Sequence, residues 1–424
     1  MSSSERPRLR LVDSFPGGQQ DGQPTIVLRD PQGFANAVVI PYVAAVLASF
    51  MDGRRTLGEI QADFEQQFRQ RVDLADLKSL VEQLDQRCFL ESDRFRARWK
   101  QEVEAYLNMQ TRPAAHAGGA YEAEGDLLRK QLADLFTNPA GPGAPLAPAL
   151  VEANGARLCG VLSPHIDLRR GGPAFAWAYK RIIEESDADL FVIFGTAHMP
   201  LRNLFATTRK NFATPLGLVE TDRTFISTLQ SKLAADSRAT QLNLLADELA
   251  HRNEHSIEFQ VVFLQYLLSG RRSFKIVPIL TGSFHEFVAS GRQPGDSPEV
   301  AAFVAAMQAT AAEHAGKICY ISGGDLAHIG QRFGDRGVLD PARLEQQSTD
   351  DRALLAAACA PDAAAFFNHV AAQKDRNRIC GLAPTYTMLQ VMQPGRGEFL
   401  IYDQAVERDG SSCVSFGSLA FYET

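Results

Sequence analysis

Ile318-Cys319-Tyr320-Ile321-Ser322-Gly323-Gly324-Asp325-Leu326-Ala327-His328 is the stretch that decides how this chain is read. Ile318–Ser322 is a short apolar run bounded by glycine, which predicts a strand. It delivers Asp325 and His328 just past its end. Two other apolar runs finish in the same way. Leu158–Ser163 delivers His165 after Pro164, and Leu190–Gly195 delivers His198 after Ala197. In an open α/β sheet, ligands bind beyond the carboxyl ends of the strands. Taken singly, each histidine reads as a hydrogen-bonded structural imidazole. Three at strand ends predict one crevice with a metal or acid–base site.

Working outward, further strands are predicted at Lys275–Leu280, Phe399–Tyr402 and Val414–Phe421. Helical runs at Ala174–Glu185 and Ile257–Leu268 lie between some of the strands. This alternation predicts an α/β domain with a largely parallel central sheet over 111–424. Within it, Asn138 to Pro148 reads as a loop. Residues 96–110 read as a helical connector, and 1–23 as a segment that frays. Between 24 and 95 a small α+β unit is predicted. Ile26–Leu28 reads as a strand, and Ala44, Leu47 and Met51 share a helical face. Asp52-Gly53 is a turn, Thr56 and Glu59 form a capping box, and Asp73 caps a helix with Leu77, Leu80, Val81 and Leu84. With Cys88–Leu90 as a closing strand, the pattern suggests a winged-helix-like module.

Composition removes several classes. Of 424 residues 45% are hydrophobic, enough to build a core, so disorder is excluded as the main state. The net charge of −7 argues against nucleic acid as a partner, and so does residues 1–95, with 14 acidic against 11 basic side chains. No apolar stretch approaches the ~18 residues of a membrane span. The polar start, Met1 to Arg10, predicts no signal peptide. Six cysteines without a CxxC pair fit a reducing cytoplasm better than a disulfide framework.

Other candidate chemistry is less decisive. Cys380, with the imidazoles, would complete a set suited to Cu(I), zinc or iron, yet by spacing alone it reads as readily as a buried apolar thiol. His251-Arg252-Asn253-Glu254-His255 matches the H-x-x-E-H pattern of zinc peptidases, in which two histidines on one helix face hold zinc and Glu254 is the base. A solvated helix start explains it too. Arg169-Arg170-Gly171-Gly172-Pro173 reads either as an anion site before a helix or as a tight turn. Walker A, G-x-S-x-G and post-strand G-x-G-x-x-G motifs are absent.

From about Arg112 to Thr424 the chain resembles the Memo family, whose bacterial and archaeal members include protein B of the AmmeMemoRadiSam system. The resemblance is carried by His116–Tyr121, Ser163-Pro164-His165, Gly195–His198, Asn253–Glu258, Gly324–Phe333, Ile379-Cys380-Gly381 and Ser411–Ser415. It implies a LigB-like α/β fold related to class III extradiol dioxygenases, with copper or iron held by His165, His198 and Cys380 and zinc less favoured. By motif order His328 and His255 take the base and supporting roles, and Asp325 orients the imidazole of His328. A radical-SAM protein and an AMMECR-type protein are the implied partners. The chain departs from the family pattern at Ile166-Asp167-Leu168, Met199, Ala327 and Leu382-Ala383.

Residues 24–95 resemble PqqD-like domains, on the spacing of Asp52–Leu57, Ile60 and Leu84 to Leu90. That implies a grip on a peptide or partner protein. A thiolate in place of the dioxygenases' carboxylate keeps the ligand charge but is softer and more easily oxidised, so ring cleavage is not expected. Three functions follow: a redox metalloenzyme working with a radical-SAM protein on a peptide or protein; a non-catalytic metal-binding adaptor or carrier; or a zinc peptidase using His251, Glu254 and His255.

Overall fold

The computed structural model describes residues 5–146, 157–239 and 242–423. Of the two segments read as loose, 1–4 and 147–148 therefore lie outside the described residues. The chain divides into two compact units, Met1–Asn108 and Met109–Thr424.

The first unit opens with three antiparallel strands, β1 (Asp13–Gln20), β2 (Gln23–Arg29) and β3 (Val38–Pro41), in the order β1-β2-β3. Helices α1 (Tyr42–Ser49), α2 (Leu57–Phe68), α3 (Leu74–Gln86) and α4 (Asp93–Asn108) follow. The caps are as expected. Thr56 and Glu59 satisfy each other's backbone at the start of α2, and the Asp73 carboxylate accepts the Ala75 N–H at α3. Two expectations change. The sheet precedes the helices, and Cys88–Leu90 contributes only a bridge from Leu90 to Leu9. Nor is 5–23 loose as a whole. The Arg10 guanidinium is buried on Asp30 at 2.9 Å and stacks over Phe95, which ties the segment down. β1 was hidden in the sequence because it is exposed along its length and carries Pro16, Gly17 and Gly18. The residues read as a connector form α4, counted within the first unit.

The second unit runs β4 (Thr111–Arg112), α5 (Gly125–Thr137), β5 (Leu158–Ser163), α6 (Leu168–Glu185), β6 (Leu190–Thr196), β7 (Phe205–Thr207), β8 (Asn211–Thr214), β9 (Gly217–Thr221) and α7 (Arg223–Ala235). It continues with α8 (His255–Leu268), β10 (Lys275–Thr281), α9 (His285–Ser290), α10 (Pro298–Glu313), β11 (Ile318–Gly323) and β12 (His328–Ile329). It ends with α11 (Pro341–Cys359), α12 (Ala363–Ala372), α13 (Leu382–Met392), β13 (Arg396–Val406) and β14 (Cys413–Tyr422). The sheet order is β12-β14-β5-β11-β6-β10-β9-β8-β4, with β13 on β14 and β7 on β10. Its centre, β5-β11-β6-β10, is parallel.

β5 and β11 are buried at every position, which is why they read as unbroken apolar runs. Alternate residues serve opposite faces. Phe191 and Ile193 join the core under α5, α6 and α8, whereas Val192 and Phe194 join the core with α7 and α10 to α13. Among the described residues no helix is long and apolar enough to cross a membrane.

Candidate metal centre

β5, β11 and β6 are neighbours in the sheet, so their carboxyl ends bring His165, Asp325 and His198 to one place although they are far apart in the chain. His165 is buried, and its Nδ1 lies 2.9 Å from the Gly323 carbonyl, an acceptor. That nitrogen therefore carries the proton, and Nε2 keeps its lone pair. Asp325 Oδ1 accepts the backbone N–H of His165 at 2.8 Å and of Ile166 at 3.1 Å, pinning the turn after β5. The Cys380 Sγ lies 3.3 Å from His165 Nε2, ahead of α13.

Backbone crossing fixes Cys380. Gly381 donates its N–H to the Asp325 carbonyl at 2.9 Å, and a Cβ on Gly381 would stand 2.6 Å from that oxygen. A Cβ on Gly324 would meet Gly381 Cα at 2.6 Å. The Thr196 hydroxyl donates to the Cys380 carbonyl at 2.9 Å, so the β6 end also holds this loop.

Glu254 fixes the other flank. It is the N-cap of α8, its Oε1 accepting the Ser256 N–H at 3.0 Å. The same carboxylate accepts the His198 backbone N–H at 2.9 Å and faces His198 Nδ1 at 2.9 Å. His255 Nδ1 is 3.4 Å from Glu254 Oε1, and its ring stacks on His198 with centroids 4.6 Å apart. His165 and His198 are thus tied through Nδ1, the arrangement that orients metal-ligating histidines, and His255 Nδ1 lies near the same Glu254 carboxylate.

Burial alone would raise the Glu254 carboxyl, but His198 and His255 beside it hold it well below the usual carboxylate range. Partial desolvation lowers His198, and the Glu254 carboxylate outweighs it, so the imidazole is raised. Burial lowers His165 and His255 against the pull of Asp325 and Glu254 respectively. Burial pushes the Cys380 thiol well up, and the Asp325 charge adds to it.

Two ligand groups result. The donor atoms of His165, His198 and His255 lie within 4.8 Å of one another, and so do those of His165, Asp325 and Cys380. His165 belongs to both. Among the described residues, His165, His198 and Cys380 do not by themselves form such a group. Nitrogen and sulfur donors of this kind fit a first-row transition metal, not the all-oxygen shell that calcium or magnesium takes.

Other expectations shift. His328 lies in β12 with its Nδ1 3.2 Å from the Leu326 carbonyl, and no hydrogen bond joins it to Asp325. Asp325 is already engaged on the His165 turn. Behind this loop, Ser415 Oγ accepts the Ala327 N–H at 2.9 Å and donates to buried Asp351 at 2.6 Å. The H-x-x-E-H reading fails. His251 ends a 3-10 turn, Glu248–His251, and α8 starts only at His255 because Glu254 is extended, so the two histidines do not share a helix face. His251 Nε2 is buried without a hydrogen-bond partner, and burial pushes its imidazole down to about 3. The Arg169–Pro173 segment lies inside α6, whose N-cap is Asp167. That carboxylate accepts the Arg169 and Arg170 N–H groups itself, which removes the anion site.

Arg112 and Glu258 carry no sequence pattern that would pair them across 146 residues. Both are buried, and Arg112 also donates to the carbonyls of His251 and Glu254, the latter at 2.8 Å. Glu258 accepts the Tyr121 hydroxyl and the backbone N–H groups of Ala115 and His116. His116 Nε2 is 2.9 Å from the Asn253 carbonyl, and its ring meets His255 edge-on at 5.6 Å. The pair thus clamps the 112–121 segment onto the start of α8. The place of Glu258 at the end of the Asn253–Glu258 stretch was the hint in the sequence.

The fold defines a doubly covered α/β protein that gathers His165, His198, His255, Asp325 and Cys380 at the carboxyl ends of its sheet. Residues 112–420 match the family model described as Memo-like protein, and the chain belongs to the Memo family. A MEMO1 family protein of Aquifex aeolicus is 27% identical over 420 residues, covering 98% of this chain and 100% of that relative. A MEMO1 family protein of Methanopyrus kandleri is 30% identical over 322 residues, 74% of this chain and 99% of the relative. A Caenorhabditis elegans protein described as a memo-1 homolog is 28% identical over 322 residues, 73% and 81% respectively. The Aquifex match spans the first unit as well as the second.

Proposed function

We propose that this chain is a redox metalloenzyme in which His165 and His198 hold iron or copper, with Cys380 beside them as the sulfur donor. One observation carries the reading: the imidazoles that follow β5 and β6, the two strands flanking β11, are tied through Nδ1 to protein acceptors, so their Nε2 lone pairs are left for a shared metal. When bound, the metal supplies electron transfer and Lewis acidity. The chain's own residues do the rest. Glu254 keeps His198 oriented, and Asp325 keeps the His165 turn closed. His328, whose ring rests on Phe333, holds or moves a proton at the rim. A peptide or protein is the proposed substrate, gripped by the PqqD-like first unit, with a radical-SAM protein and an AMMECR-type protein as partners. The six free cysteines are in keeping with a cytoplasmic setting.

The test is elemental mass spectrometry on protein purified without oxygen, beside His165→Ala and His198→Ala. A stoichiometric iron or copper lost in both variants is expected; a metal-free wild type, or metal retained by both variants, would sink the reading. The missing bond between His328 and Asp325 favours a second reading, a non-catalytic metal-binding adaptor. In that case His328→Ala leaves complex formation with the radical-SAM protein intact and His165→Ala abolishes it.

A further inference from the structure

We propose that a narrow cavity between α11, α12 and the 373–379 segment binds a potassium ion through the side-chain carbonyl oxygens of Gln347 and Gln373. This site is independent of the metal centre above, and its ligands are oxygens alone.

The cavity measures about 10 Å³, room for one water-sized body. Two oxygens on it are unmatched. Gln347 is 1% exposed, and its Oε1 has no hydrogen-bond partner among the described residues. Gln373 Oε1 is likewise buried and unpartnered on the same cavity. The amide nitrogens set both orientations. Gln347 Nε2 donates to Asp351 Oδ1 at 3.0 Å, and Gln373 Nε2 lies 3.3 Å from His369 Nε2. A buried acceptor left unmatched is destabilising, so an occupant is called for.

Charge decides between a water and a cation. Asp351 and Asp375 also line the cavity. Burial pushes both carboxyls up, as it does where ionised oxygens are short of a countercharge. The guanidinium groups nearby are engaged elsewhere, Arg376 with Asp350 at 3.2 Å and Arg378 with Asp335 at 2.7 Å. A water brings two protons and no charge, whereas one cation serves every free oxygen and offsets the carboxylates. Magnesium keeps several waters, for which there is no room. Asp351 Oδ2 is already taken by Tyr402 and Ser415, so the free ligands are neutral amide carbonyls, the kind that replace the hydration shell of potassium.

One wall of the cavity leads directly to Cys380. Within it Lys374, Asp375 and Arg378 are left-handed, with φ of 54°, 48° and 55°. Such backbone is costly for residues other than glycine and persists only where its surroundings hold it. A bound ion draws Gln373 and Asp375 towards α11 and so braces this segment.

The experiment melts the full chain at about pH 8, where Asp351 is ionised, in equal concentrations of potassium chloride or tetramethylammonium chloride, whose cation is too large to enter. Potassium should raise the melting temperature by about 2–4 °C, climbing with the logarithm of its concentration. Gln347→Leu and Gln373→Met should each lose that gain. Thallium(I) NMR of the wild type, which needs no variant to fold, should show a bound signal that potassium displaces. Equal melting temperatures in the two salts, as a water-filled cavity would give, or the lack of a displaceable thallium signal overturns the proposal. So does a potassium gain that both variants keep.

Discussion

The two flanks of the centre are built by different means. On the sulfur flank, Gly324 and Gly381 let two backbones cross, and the Asp325 carbonyl accepts the Gly381 N–H. On the imidazole flank, side-chain charges do the positioning: Glu254 orients His198, and the Arg112–Glu258 pair holds the start of α8. The first flank depends on the absence of atoms and the second on the balance of charges. A single substitution should therefore damage them in different ways.

The largest effect is expected on the imidazole flank. Arg112→Met leaves Glu258 buried and uncompensated, which costs about 3–5 kcal/mol when one partner of a buried pair is removed. Burial alone pushes the Glu258 carboxyl up, and Arg112 is what brings it down. Urea unfolding measures the loss. The double variant Arg112→Met with Glu258→Leu should recover much of it, because no orphaned charge remains. Equal damage in single and double variants would mean that the pair is held for shape and not for charge.

Gly381→Ala should break the sulfur flank by sterics alone, at a cost of about 1–3 kcal/mol for overpacking against backbone that cannot swing away. Its loss in thermal unfolding should hardly change between low and high salt. A strong salt dependence would erase the contrast between the flanks.

The smallest effect sharpens the contrast behind the sulfur flank. Asp351 is buried, accepting from Ser415, Tyr402 and Gln347, and burial raises its carboxyl from 3.8 to about 6. The native state then holds a proton that the unfolded chain releases. Its stabilising contribution is complete below 3.8 and is lost as pH rises through about 6. Wild-type stability should fall over that window by at most about 1.4 kcal/mol per pH unit. Asp351→Asn should flatten this slope in denaturant titrations at a series of pH values.

Much of this was legible because burial leaves a trace in sequence. β5, β6, β10 and β11 lie inside the sheet, so their apolar runs marked them within a residue or so, and His165 and His198 came with them. The capping box at Thr56 showed through because it is local. β4 and β12 were missed, as two-residue strands have no period to detect. Arg112 and Glu258 were missed because their pairing is purely long-range. The break before α8 was hidden because glutamate is an uncommon N-cap, so 251–255 looked like one continuous helix. Nor does spacing tell which carboxylate faces which imidazole. Asp325 was expected on His328 and serves the His165 turn instead.

The strand order has a consequence for how the protein is made. His165 and Cys380 touch across 215 residues, and β14, which lies against β5, is the final strand. At roughly 5–20 residues per second, about 10–40 s of synthesis separate the two ligands. The nascent chain therefore exposes its first histidine long before the thiol exists. Any ion that needs both side chains could therefore meet its full ligand set only after Cys380 has been made.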